Sequence, residues 1–149
     1  MSDVVRRRLA ALLLIAGIAV AALAIADVGP FEDPPTEEEN VEAAVESFFG
    51  AAADGDAKTF CGLLTNQARE ALRVNTAQRL QINELPECEQ ILEALSEAFV
   101  DSEFTVRQVS VSGNRARVEG RYKLAEGGPQ PRTVLMLQEE GEWKVSDPG

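Results

Sequence analysis

The chain has 149 residues, with 14 Lys plus Arg against 25 Asp plus Glu and a formal net charge of −11. It has no histidine and two cysteines, which excludes imidazole-based triads, histidine zinc sites and a Cys-only metal centre. The acidic balance argues against a nucleic-acid binder, which needs a basic footprint, and the length suits one domain of ordinary size.

Arg6, Arg7 and Arg8 precede residues 9–26, a run of 18 residues without a charge. As a helix this run spans about 27 Å, enough for a thin bilayer. It has no polar face, so it reads as a transmembrane segment and not as a buried soluble helix. The arginines keep residues 1–8 in the cytoplasm and send the body outward. Two fates stay open: a signal anchor that remains attached, and a signal peptide cleaved after Ala24-Ile25-Ala26. Residues 27–149 hold 11 bases and 24 acids, net −13, a charge that favours solubility and repels anionic surfaces. Residues 27–35 include Pro30, Pro34, Pro35 and Gly29 and read as an extended linker. Residues 36–149 then form the extracytoplasmic domain.

Thr36 with Glu39 makes a capping box, and an acidic first turn suits the positive end of the helix dipole. Val41, Ala44, Val45, Phe48, Phe49 and Ala52 follow at helical spacing. Asp54-Gly55-Asp56 stops this helix, and Asp56 caps the next. Phe60, Cys61, Leu63 and Leu64 make a short second helix. Thr65 caps a third, with Ala68, Ala71 and Leu72 inward, while residues 73–85 are polar and weakly patterned. Pro86 opens a further helix whose inner stripe is Cys88, Ile91, Leu92, Leu95 and Phe99.

From Glu103 the period becomes two. Phe104 and Val106 alternate, and Val109 and Val111 alternate out of phase with them, so a bulge is expected near Arg107-Gln108. Ser112-Gly113-Asn114 is a turn. Ala116, Val118, Gly120, Tyr122 and Leu124 then face one way, and Arg115, Arg117, Glu119, Arg121 and Lys123 the other. Gly127-Gly128-Pro129 breaks the chain. Residues 133–138 are a nearly continuous apolar strand, expected at the sheet centre. Gly141 marks a hairpin, and Trp143 and Val145 begin a last strand. Helices first and an antiparallel meander second imply an α+β fold, with helices on one face of a curved sheet.

The segments "FFGAAADGD", "KTFCGLLT" and "LQEEGEWKVSD", in this order, resemble the nuclear-transport-factor-two-like (cystatin-like cone) superfamily. More narrowly they are similar to its exported, membrane-anchored bacterial members of unknown role. The resemblance spans roughly residues 36–147. It implies a cone-shaped domain, a bent sheet wrapped around helices, often with a pocket at the open end.

Four groups of residues are candidate sites. Cys61 and Cys88 lie on inward helix faces and, in an exported domain, are expected to pair as a structural disulfide. Phe48, Phe49, Tyr122 and Trp143 line either a pocket or the core. Tyr122 is read as a core residue with its hydroxyl hydrogen-bonded, and Trp143 as an anchor packed near Phe48 or Phe49. The acids Glu37, Glu38, Glu39, Glu42 and Glu46 lack calcium-loop spacing and read as a solvated helix start. Arg107, Arg115, Arg117, Arg121, Lys123 and Arg132 form a basic strand face that suits docking of a protein partner or of the acidic helix of a second copy.

Enzymes of the resembling superfamily, such as the ketosteroid-isomerase type, use a carboxylate base inside the cone. Glu119 falls on the outer face here and Glu126 in a turn, so no catalytic residue, cofactor or metal is assigned. The expected role is non-enzymatic binding at the outer face of the membrane. The rival roles are a small-molecule enzyme with a carboxylate in the cone and an accessory subunit of an envelope complex. The sequence names no small-molecule ligand.

Overall fold

The computed structural model describes residues 33–149. The cytoplasmic tail, the transmembrane or signal segment and residues 27–32 of the linker lie outside the described residues. Residues 33–35 of the linker belong to neither helix nor strand. No helix among the described residues is long and apolar enough to cross a membrane.

The first helix, α1 (Glu37–Asp54), starts with both halves of a capping box. Thr36 Oγ1 accepts the Glu39 N–H at 3.2 Å, and Glu39 Oε2 accepts the Thr36 N–H at 2.7 Å. The helix buries Val41, Val45, Phe48, Phe49, Ala51 and Ala52. It ends where Gly55 takes a left-handed conformation, φ 72°, and the Asp56 N–H returns to the Ala51 carbonyl at 2.9 Å; only glycine adopts that conformation freely.

Asp56 caps α2 (Ala57–Gly62) by accepting the Thr59 N–H at 3.1 Å. The Thr59 side chain, then its N–H, hold the Asp56 carboxyl below the usual carboxylate range. Residues 63–65 leave the helix. The Val145 N–H donates to the Leu63 carbonyl at 2.7 Å, and the Thr65 N–H to the Val145 carbonyl at 2.9 Å. Leu63 and Leu64 were expected to continue the helix; instead they lie against the last strand, with Leu64 in a parallel bridge to Val145.

Thr65 is the one polar residue buried as a whole among the described residues. It caps α3 (Asn66–Leu80), accepting the Ala68 N–H at 3.1 Å. This helix runs on through residues that the sequence left unpatterned. It buries only Ala68 and Ala77, and its arginines hold it in place. Arg69 donates twice to the Cys61 carbonyl, at 3.2 and 2.9 Å. Arg73 donates to the Pro86 carbonyl at 2.8 Å and pairs with Glu70 and Glu87 at 3.1 Å each.

The last helix, α4 (Cys88–Phe99), begins two residues later than Pro86 suggested. Glu87 is its N-cap, and Gln90 Oε1 accepts the Glu87 N–H at 3.1 Å. Pro86 lies ahead of the cap, where its ring keeps the chain extended and its carbonyl meets Arg73. Cys88, Ile91 and Leu92 are buried, but Leu95 is 44% exposed. Cys61 and Cys88 are bonded across a Cα–Cα distance of 6.0 Å, tying α2 to the first residue of α4.

Four strands follow in an antiparallel meander, β1 (Glu103–Ser112), β2 (Arg115–Lys123), β3 (Gln130–Glu139) and β4 (Glu142–Asp147), in the order β1-β2-β3-β4. The β1–β2 register slips between Val106 and Gln108, which leaves Arg107 as the extra residue of a bulge. Along β2 exposed and buried positions alternate without a break. The inner face of the sheet packs on α1, and the core between them holds Val118, Val134, Met136 and Val145 with Phe48 and Phe49. Gly120 sits on this inner face because a Cβ there would collide with the Phe104 ring and lie 2.6 Å from the Thr105 carbonyl oxygen. Leu124, which follows β2, is 43% exposed and not inward.

Candidate functional site

The interior facing α1 is filled by rings. Phe49 stacks on Phe104 with centroids 4.4 Å apart and lies 5.2 Å from Tyr122. Phe48 meets Phe49 edge-on at 5.2 Å and stacks on Phe60 at 4.6 Å. Such pairs suit the aromatic quadrupole. No carboxylate is among the buried residues described. The Tyr122 hydroxyl makes no hydrogen bond among the described residues. Its ring is instead held between Phe49 and the guanidinium of Arg132, which lies 4.9 Å from the ring centroid.

Trp143 is buried, but its indole N–H is not beside Phe48 or Phe49. It donates to Glu37 Oε2 at 2.8 Å, in the first turn of α1. Glu37 lies about three turns ahead of Phe48 on the same helix. The acidic start of α1 is exposed, as a solvated helix start implies, and Glu37 in addition serves as the acceptor for the indole.

The outer face of β2 carries Arg115, Arg117, Glu119, Arg121 and Lys123, all exposed. Five such positions span about 27 Å at strand rise. Their cross-strand neighbours are mostly neutral. Arg115 stands between Ser112 and Leu137, Arg117 between Ser110 and Leu135, and Arg121 between Thr105 and Pro131. Glu103 stands opposite Lys123. Arg117 and Glu119 make an ion pair at 3.0 Å between half-exposed side chains, which contributes about 0–1 kcal/mol. The bulge brings Arg107 to the same side. Arg107, Arg117, Arg121 and Arg132 line a shallow depression of about 470 Å³ together with Glu119, Gly120, Pro131 and Thr133. Arg132 is the exception in this group. It borders the same depression, but it pairs with inward Gly120 and its guanidinium lies over the Tyr122 ring.

A larger cavity, of about 600 Å³, was not foreseen. It lies between α3 and α4, away from the aromatic interior. Leu72, Leu80, Pro86, Ile91, Ala94 and Leu95 form its apolar wall, and Asn75, Thr76, Arg79 and Gln90 its polar part. No stripe announced it, because its wall is assembled from two helices and the connection between them. No group of three or more metal-ligating side chains occurs among the described residues.

No family model and no curated protein matches the chain. Solved structures do. One named Rd1NTF2_05, carrying five substitutions, superposes with a TM-score of 0.53 at 13% identity, over 74% of this chain and 96% of that one. An NTF2-like protein of unknown function from Shewanella baltica gives 0.49 at 13% identity, over 75% and 92%. A ketosteroid isomerase-like protein from Erwinia carotovora atroseptica gives 0.46 at 18% identity, over 76% and 93%. The first likeness, with the helices and four-stranded antiparallel sheet described above, shows that the chain has the nuclear-transport-factor-two-like α+β fold.

Proposed function

We propose that the chain is a non-catalytic binding module on the outer side of a membrane, held there by residues 9–26, whose outer sheet face docks an acidic protein surface. The observation that carries this reading is the β2 outer row. It concentrates Arg115, Arg117, Arg121 and Lys123, with Arg107 from the bulge beside them, in a chain of net charge −11. Like charges two residues apart on a strand repel one another unless acids oppose them, and within the row Glu119 alone does so. A partner's carboxylates complete the pairing and steer the encounter. The acidic helix start of a second copy has the right charge, as does another acidic protein. The aromatic filling of the interior supports binding on the surface in preference to chemistry inside. The Cys61–Cys88 bond supports an oxidising compartment.

The test is a double charge reversal, Arg117→Glu with Arg121→Glu, in the full chain. Self-association by analytical ultracentrifugation and co-purification from membranes are compared with wild type at low and high salt. The expected result is salt-sensitive association in wild type and its loss in the variant, with the melting temperature within about 2 °C, since exposed substitutions change stability little. Association that is indifferent to the reversal rejects the proposal.

A further inference from the structure

We propose that the groove between α3 and α4 binds a single-chain amphiphile with a carboxylate head, an aliphatic tail lying on the apolar wall and the head at Arg79. Three observations carry this. Four of the seven large apolar side chains left exposed among the described residues gather here: Leu80 and Leu95 in the groove, Ile82 and Leu85 in the connection between the two helices. Soluble proteins keep such clusters where something covers them. The cavity, about 600 Å³, falls within the roughly 300–1,000 Å³ of small-molecule sites, which likewise pair an apolar wall with a few convergent polar groups.

The charge of the groove selects the head. Acids outnumber bases 25 to 14 in the chain, yet no acid lines the groove and one arginine does. The other two arginines of α3 that the fold employs are committed, Arg69 to the Cys61 carbonyl and Arg73 to Glu70, Glu87 and the Pro86 carbonyl. Arg79 makes no ion pair among the described residues. Its planar fork matches a carboxylate, with two parallel N–H donors to two oxygens. Gln90 already gives its carbonyl oxygen to the Glu87 N–H, so what it offers a ligand is the amide N–H pair. The groove is therefore rich in donors, which an anion accepts from and a cation does not. The negative charge of the whole molecule opposes an anion only weakly here, because salt screens exposed charges beyond about 8 Å.

The test uses the full chain in phosphatidylcholine nanodiscs and two photoactivatable probes, a diazirine-bearing dodecanoate and the corresponding neutral alcohol. Labelled peptides are mapped by mass spectrometry. The expected result is saturable labelling by the carboxylate probe within α3 and α4, displaced by unlabelled dodecanoate. Ala94→Trp fills the groove from an exposed position and abolishes labelling there by both probes. Arg79→Ala reduces half-saturation affinity for the carboxylate about tenfold, the scale of one lost hydrogen-bonded charge, and leaves the alcohol unchanged. Labelling confined to residues 9–26 or spread along the chain overturns the proposal, as does labelling indifferent to Ala94→Trp. An equal effect of Arg79→Ala on both probes overturns the assignment of the head. A dimer that Leu95→Glu dissociates, with no groove labelling, shows that a second copy occupies the groove and also overturns it. The Arg117 and Arg121 reversal leaves groove labelling intact, so failure here is separable from failure of the docking face.

Discussion

Trp143 joins a strand to a helix start. Its ring is buried in the core while its N–H reaches the exposed first turn of α1. The two contributions separate by substitution. Trp143→Phe keeps much of the apolar area and loses the bond to Glu37, and is expected to destabilise by about 1 kcal/mol, the net worth of a hydrogen bond. Trp143→Ala leaves a cavity and is expected to cost about 3–5 kcal/mol. Urea unfolding measures both, and an alanine variant within 1 kcal/mol of wild type rejects the core role. The same scale shows what a sequence leaves open about partners. Strand alternation places Trp143 inward correctly, but the side chain that accepts its hydrogen bond lies more than a hundred positions away. Arg132 shows the same limit: counting cations along the sequence groups it with the outer row, whose depression it does border, but not with Tyr122, over whose ring the β2–β3 register places it.

Helices α2 and α3 bury few apolar side chains, and covalent and polar ties take the place of a broad apolar stripe. The Cys61–Cys88 bond closes a separation of 27 residues, and in the chain-entropy model it contributes about 3–4 kcal/mol. A Cys61→Ala, Cys88→Ala variant should lose that much in a urea titration, and thiol labelling of denatured, unreduced protein should find no free cysteine. Two labelled thiols in protein taken from its native compartment overturn the pairing. These ties also explain which elements were legible. Helix α1 declares itself by a capping box and a continuous inner stripe, and β2 by strict alternation. Helix α3 beyond Leu72 does not, because it is fixed by guanidiniums bonded to backbone carbonyls, contacts that leave no periodic apolar trace. The groove beside it leaves no trace in the sequence because its wall is shared between two helices and their connection. Leu95 has the spacing of an inner residue, but α3 meets α4 too loosely there to cover it.

At the scale of the molecule, charge and packing divide the labour. A filled interior leaves the surfaces of the fold to discriminate: a cationic strip on the outer sheet face, and an apolar groove between α3 and α4. The overall architecture was readable because each half of the chain keeps one period, near 3.6 and then near 2. The apolar run of residues 9–26 lies outside the described residues.

The meeting of residues 63–65 with Val145, together with the bond from Trp143 to Glu37, has a consequence for how the protein is made. Both contacts wait for the last strand, and one joins residues 106 positions apart. A ribosome releases the chain in one direction, so the first helix and the α2–α3 connection emerge long before the segment that secures them. Such non-local closure is slow. An unfinished chain therefore stays open until the last strand is released. A chain halted after Gly141 should remain sensitive to pulse proteolysis along its length, and the full chain should gain protection in a single step. Stable protection of the halted chain would show that the helices and first three strands close without the fourth.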